Sequence, residues 1–148
     1  MNKKKVVVRG VIAIVVIALA VGAGILIKRH LDGRTRTMDE VVTFDVSKIK
    51  SMTIMDGSNG EVAEVSSEHY QTVVDMLNEV VMPGVYQNKE NVAYPMSYKV
   101  TITDEKGEKA ITFYNLVCDV DGKEYNLKPD FDIENVLKDV YKKSGGVR

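Results

Sequence analysis

Residues 10–27 constrain this chain more than any other feature, because eighteen consecutive residues there carry no charge. Most of them are Val, Ile or Ala. As an α-helix they span about 27 Å, close to the roughly 30 Å hydrocarbon core of a bilayer. A helix satisfies its own backbone hydrogen bonds, so lipid accepts it. The run therefore predicts a transmembrane helix, a signal anchor that binds the chain to the lipid bilayer.

A cleaved signal peptide is the competing interpretation of the same run. Ala18, Leu19 and Ala20 form a small-x-small cleavage motif after the apolar residues 11–17. The apolar run nevertheless continues through residues 21–27, with no polar stretch before the cleavage position. We favour the uncleaved anchor, and cleavage after Ala20 stays open.

Charge suggests how the anchor is oriented. Residues 1–38 hold eight Lys or Arg and one acid, Asp32, with four of the cations on each side of the run. The α-amino group adds a charge before the run, whereas Asp32, Asp39 and Glu40 dilute the charge after it. Because cations concentrate on the cytoplasmic side, we expect a short basic cytoplasmic tail at 1–9. A linker at 28–39 then leads to an extracytoplasmic domain at 40–148, and the reverse topology is the alternative.

The composition of the domain excludes several function classes. Residues 39–148 hold twelve basic and twenty acidic residues, which argues against nucleic-acid binding because phosphates require cations. Cys118 is the only cysteine, so the chain has no intramolecular disulfide and no cysteine-rich zinc site. No cysteine follows the apolar run to carry a lipoprotein anchor.

Apolar periodicity predicts an α+β domain with the element order ββ-α-ββββ-α. Strands at 49–55 and 61–65 flank a Gly- and Asn-rich turn, and a helix follows Ser66 with its apolar stripe reaching Val81. Four strands lie at 96–103, 108–114, 116–120 and 123–127, and a last helix runs from Pro129 to Gly145. Residues 41–44 fit a leading strand or an extended segment, and Asn115 suggests a bulge. We expect one antiparallel sheet with both helices on one face.

Catalytic and metal-binding patterns are missing from the sequence. His69 is the only histidine of the domain, and alternation places Cys118 among core residues. Residues 119–122 resemble the start of a calcium loop, but the later ligand positions do not match that motif. We therefore predict no catalytic residue, no metal and no cofactor. The abundant carboxylates leave a small cell-surface hydrolase as the alternative function.

The loop at 85–94 is the candidate binding segment. It is long for a compact domain, and it combines Tyr86 and Tyr94 with Asn88 and other amide side chains. Tyrosine and amide side chains are typical of protein or glycan contacts. We predict that Tyr86, Asn88 and Tyr94 contact a partner, unless the two tyrosines only cap the end of the sheet.

Ser47–Ile54 form an S-x-I-x-S-x-x-I opening, and a Gly-containing hairpin, Tyr125 and a closing helix follow it. In these features residues 44–143 resemble small membrane-anchored extracytoplasmic domains of unknown function from Gram-positive bacteria. The resemblance implies an outside location and a non-enzymatic role. The sequence thus predicts a membrane-tethered binding module whose partner is a protein or a cell-envelope component.

Overall fold

The computed structural model describes residues 3–87, 95–128 and 133–146. These residues form four α-helices and eight strands. The helices are α1 (Lys3–Asp32), α2 (Met38–Val41), α3 (Tyr70–Asn78) and α4 (Ile133–Lys143). The strands are β1 (Arg36–Thr37), β2 (Ser51–Asp56), β3 (Val62–Glu64), β4 (Val81–Met82), β5 (Met96–Asp104), β6 (Gly107–Tyr114), β7 (Val117–Val120) and β8 (Lys123–Asn126). The chain divides into two compact units, Met1–Arg34 and Thr35–Arg148, and its fold class is α+β as predicted.

The first unit is the helix α1, which contains the uncharged run and continues beyond it at both ends. From residue 14 onward the apolar side chains are exposed around the helix, for example Ile14 at 69% and Leu26 at 67%. Within the described residues, the apolar span Ile14–Asp32 has no buried share. The helix is long and apolar enough to cross a membrane, a property that signal sequences near an N-terminus share.

The residues assigned to a linker, 28–39, contain regular structure in three places. Residues 28–32 complete α1, whose end is marked by the Gly33 N–H donating to the Arg29 carbonyl at 3.0 Å. Arg36–Thr37 forms β1, and Met38 begins α2 with its side chain fully buried. The second unit begins at Thr35. Residues before position 40 belong to it because the Met38 side chain is buried in its hydrophobic core.

The main sheet is antiparallel, with the strand order β3-β2-β5-β6-β7-β8. Buried and half-buried side chains alternate along β5, and the buried ones, Tyr98, Val100 and Ile102, identify the inner face of the sheet. Val100 pairs with Ile54 on one side and with Ile111 on the other, so buried side chains continue across the strands. The strand predicted at 96–103 is confirmed.

The helices α3 and α4 of the second unit bury their apolar stripes in the same core as the inner face of the sheet. Val73 and Leu77 of α3 and Leu137 and Tyr141 of α4 are buried in one hydrophobic cluster with the inner-face residues. The two helices therefore lie on one face of the sheet, as predicted.

The helix predicted to reach Val81 ends earlier. α3 stops at Asn78, and Val81–Met82 instead forms β4, which pairs with β1 in a small two-stranded sheet. Val80 is still buried, so the apolar stripe continues although the helix does not. β-branched residues and the residue before Pro83 disfavour helical backbone, and β1 supplies an extended partner.

Turns account for the remaining differences. The predicted hairpin at Asp121–Gly122 is confirmed, because both residues have positive φ (50° and 86°), as a type I′ turn requires. Asn115 is not a bulge within one long strand, since Phe113 pairs with Cys118 and the chain reverses between β6 and β7. Residues 41–44 do not form the leading strand: Val41 ends α2, and the chain is extended from Val42, which is buried.

Candidate binding surface

Tyr86 lies at the edge of the main sheet, where its segment pairs with β8. The Asn126 N–H donates to the Gly84 carbonyl and the Tyr86 N–H donates to the Glu124 carbonyl, both at 2.9 Å. Between these bonds Val85 forms an isolated antiparallel bridge with Tyr125. The segment thus covers the β8 edge, which would otherwise present unpaired backbone groups.

This pairing determines which face of the sheet carries Tyr86. Val85 packs against the hydrophobic core, as does its partner Tyr125. Because neighbouring residues of an extended segment point to opposite faces, Tyr86 lies on the outer face, opposite Glu124. Its side chain is half-buried.

The other two predicted binding residues, Asn88 and Tyr94, lie outside the described residues. Their role stays a prediction. The structure places Tyr86 beside residues of β7 and β8 that the sequence analysis had not selected.

We use the term open face for the side of the main sheet opposite α3 and α4. In β2 and β5 to β8 its residues are half-buried or exposed, with the exception of Val117. These residues are Ser51, Thr53, Met55, Lys99, Thr101, Thr103, Glu108, Ala110, Thr112, Tyr114, Val117, Asp119, Glu124 and Asn126. The side chains are mainly polar and able to donate and accept hydrogen bonds.

One end of the open face combines aromatic and acidic residues, and we call Tyr86, Tyr114, Asp119 and Glu124 the acidic corner. Asp119 and Glu124 are cross-strand partners in the β7–β8 ladder. Burial raises the pKa of the Tyr114 hydroxyl, and the nearby Asp119 and Glu124 carboxylates raise that pKa further. Tyr114, Asp119 and Glu124 therefore share one electrostatic environment.

The carboxylate of Asp119 has a fixed position. Its Oδ1 atom accepts a hydrogen bond from the Gly122 N–H at 2.9 Å, which ties it to the type I′ turn. Among residues 3–87, 95–128 and 133–146, neither Asp119 nor Glu124 forms an ion pair. Their negative charge is thus available to a cation from outside the described chain.

Val117 is a buried apolar residue on this side of the sheet. It is 3% exposed, yet it is not part of the hydrophobic core on the inner face. The register places it opposite Asn126 in β8 and next to Tyr114 across the turn that joins β6 to β7. With so little of its surface exposed, Val117 contributes to the packing of the sheet and offers a partner no apolar contact area.

The candidates for chemistry lie elsewhere and are isolated from one another. His69 is half-buried, with Nε2 3.6 Å from the Oε1 atom of Glu68. Within the described part of the chain, no three His, Cys, Asp or Glu side chains come together to hold a metal. Cys118 is fully buried, and burial, with a smaller effect of Asp119, raises the pKa of its thiol to about 12. A thiol of that kind is a core residue and not a nucleophile.

A groove of about 460 Å³ lies between the end of β3, the start of α3 and the end of α4. Its lining residues are Glu64, Val65, Ser66, Ser67, Tyr70, Lys143 and Ser144. Hydrolysis by paired carboxylates requires two acids facing one space, and among the described residues that line this groove Glu64 is the one acid.

Sequence reasoning missed Tyr114, Asp119 and Glu124 because they belong to three different strands. Each occupies a polar position in an alternating segment, which was a signal for the outer face. Which outer-face residues become neighbours depends on strand order and register, and a single sequence does not contain that information.

Comparison with family models, curated proteins and solved structures gives no match to this chain.

Proposed function

We propose that this protein is a membrane-tethered binding module whose C-terminal domain faces the outside of the cytoplasm. In this proposal α1 remains uncleaved and lies in the bilayer, and the open face of the sheet binds a protein or cell-envelope partner. The exposed apolar surface of α1 supports the anchor, since that surface is unfavourable in water. The charges before the apolar run and the resemblance to extracytoplasmic domains support the orientation.

One observation carries the binding role: in the described part of the second unit, α3 and α4 pack on the same face of the six-stranded sheet. On the open face, rows such as Thr53–Thr101–Ala110 and Lys99–Thr112–Asp119 join neighbouring strands in register. A broad surface of this kind, with mixed donors, acceptors and tyrosine rings, suits recognition of another macromolecule better than enclosure of a small substrate.

Site-specific photocrosslinking in native membranes tests this proposal. Photoreactive p-benzoylphenylalanine replaces Thr101 or Thr112 on the open face, and it replaces exposed Thr72 of α3 or Glu134 of α4 as matched controls. We expect a defined covalent adduct from the two open-face positions, at several times the yield from the helix positions. Mass spectrometry of the adduct then identifies the partner.

Equal yields from all four positions would contradict the binding role of the open face. A lack of adducts at Thr101 and Thr112, in a chain that is folded and membrane-bound, would contradict it as well. Adducts confined to Thr72 and Glu134 would assign the binding role to the helices.

A further inference from the structure

Positive charge begins immediately after the apolar run of α1, at the carboxyl end of the helix. Residues 28–36 hold Lys28, Arg29, Arg34 and Arg36 against one acid, Asp32. The helix continues to Asp32, so Lys28 and Arg29 belong to the same helix as the run itself. We call these two residues the basic end of α1.

The position of the basic end along the helix determines its depth in a bilayer that contains α1. The uncharged residues 10–27 span about 27 Å, which nearly fills a hydrocarbon core of roughly 30 Å. Lys28, the next residue, therefore lies at the boundary between the hydrocarbon and the headgroups. Long basic side chains at this depth extend toward the lipid phosphates.

Both cations of the basic end are available to a lipid. Their side chains are exposed, and the span Ile14–Asp32 has no buried share. Among the residues that the structure describes, Lys28 and Arg29 form no ion pair, although Asp32 lies only one helical turn further along α1. A guanidinium group binds a phosphate through two parallel hydrogen bonds, and an ammonium group binds it as a point charge.

We infer that the basic end of α1 selects anionic phospholipids in the leaflet at the carboxyl end of the helix. This inference rests on the proposed function, in which α1 lies in the bilayer, and adds the chemical class of the lipid beside it. A phosphatidylcholine headgroup carries its own cation, which competes with Lys28 and Arg29 for the phosphate. An anionic headgroup has no such cation, so it gains more from the two side chains.

Fluorescence quenching by brominated lipids tests the inference. Ile25→Trp introduces a reporter into a chain that contains no tryptophan. Residue 25 lies one helical turn before Lys28 and Arg29 and on the same side of the helix, about 5 Å away along the axis. The full-length variant is placed in nanodiscs of equal amounts of phosphatidylcholine and phosphatidylglycerol, an anionic lipid. The acyl chains of phosphatidylglycerol carry bromine in one sample, and those of phosphatidylcholine carry it in the other.

The ratio of quenching in the two samples measures which lipid lies beside the basic end. We expect phosphatidylglycerol to be preferred about threefold, or somewhat under twofold for each exposed cation. The preference should fall when salt is raised, because the attraction is between charges near water.

Charge variants in the Ile25→Trp background locate the source of the preference. Lys28→Gln with Arg29→Gln is expected to reduce it to about onefold. Lys28→Arg with Arg29→Lys keeps both charges and should retain it. The matched control, Lys106→Gln with Lys142→Gln, removes two exposed cations of the second unit and should leave the ratio unchanged.

The outcomes separate this inference from the proposed function. Equal quenching by the two brominated lipids overturns the inference while α1 remains in the bilayer. A preference that persists in the Lys28→Gln, Arg29→Gln variant, or that is lost in the Lys106→Gln, Lys142→Gln control, overturns it as well. The absence of quenching in both samples would show that α1 does not lie among the acyl chains, which contradicts the membrane anchor itself.

Discussion

The ammonium group of Lys109 contacts the Asp104 carboxylate at 3.0 Å on the inner face of the sheet. The same Nζ atom donates to the Thr43 carbonyl at 3.2 Å and lies 5.3 Å from the centre of the Phe44 ring. Lys109 therefore connects the β5–β6 hairpin to the extended segment after α2. Both partners of the ion pair are half-buried, with exposed side-chain fractions of 19% and 11%.

Asp104→Asn is expected to lower the melting temperature at neutral pH. The hydrogen bond from Lys109 is the largest cause that holds the pKa of Asp104 below its ordinary value, followed by the backbone N–H of Lys106. A carboxyl group with a lowered pKa in the folded state contributes stability above its unfolded pKa of about 3.9. That contribution is lost as the pH falls through the folded-state pKa.

Thermal unfolding followed by circular dichroism from neutral pH to below pH 3 checks this expectation. The melting temperatures of the wild type and Asp104→Asn should differ most above about pH 4 and converge in acid. Glu105→Gln, in the adjacent turn, is the control and should match the wild type throughout. A difference that stays constant with pH would contradict the role of the charge.

Gly57 is the second residue on which stability is expected to depend. Its N–H donates to the Ser97 carbonyl at 2.9 Å, and a Cβ atom at this position would clash with the Met96 carbonyl oxygen. Gly57→Ala should therefore lower the free energy of unfolding by about 2–3 kcal/mol, because the backbone of β5 has to move. Chemical denaturation measures this change.

Gly60→Ala in the same turn is the matched control. Gly60 has a φ of 74° but open space around it, so only backbone strain opposes a side chain there. We expect a loss of about 1 kcal/mol. If Gly57→Ala costs no more than Gly60→Ala, the close approach of the β2–β3 turn to β5 is not a significant constraint.

The sequence predicted those parts of the fold that depend on local patterns. Alternation in β5 and the 3.6-residue periodicity of α4 require no knowledge of the rest of the chain. The boundary between α3 and β4 was wrong because Val81 satisfies a helical stripe and an extended strand equally well. Val81 lies in a strand because it pairs with Thr37 of β1, more than forty residues earlier in the chain. A helical pattern of apolar residues gives no information about such a partner.

The candidate surface was less predictable for the same reason. Tyr86 was selected from loop composition, and its pairing with β8 depends on hydrogen bonds to Glu124 and Asn126. Asp119 and Tyr114 looked like ordinary outer-face residues. Their significance comes from the register that places them beside Glu124.

The burial of Leu137 gives a prediction for the packing of α4 on the sheet. Leu137 is fully buried in the hydrophobic core, whereas Val62 in β3 is 60% exposed. Leu137→Ala should lower the free energy of unfolding by about 2–5 kcal/mol, because it removes buried methyl groups and leaves a cavity. Val62→Ala, the control, should cost less than about 0.5 kcal/mol. Equal effects in chemical denaturation would show that α4 contributes little to the core.

The burial of Cys118 makes the orientation of the chain measurable by thiol labelling. The thiol is fully exposed only on unfolding, and its pKa of about 12 keeps it protonated at neutral pH. The wild type should therefore stay unlabelled by a membrane-impermeant maleimide on intact cells. Ser58→Cys, in the exposed β2–β3 turn, should be labelled if the domain lies outside. Labelling of Ser58→Cys only after the membrane is permeabilised would place the domain in the cytoplasm and contradict the proposed orientation.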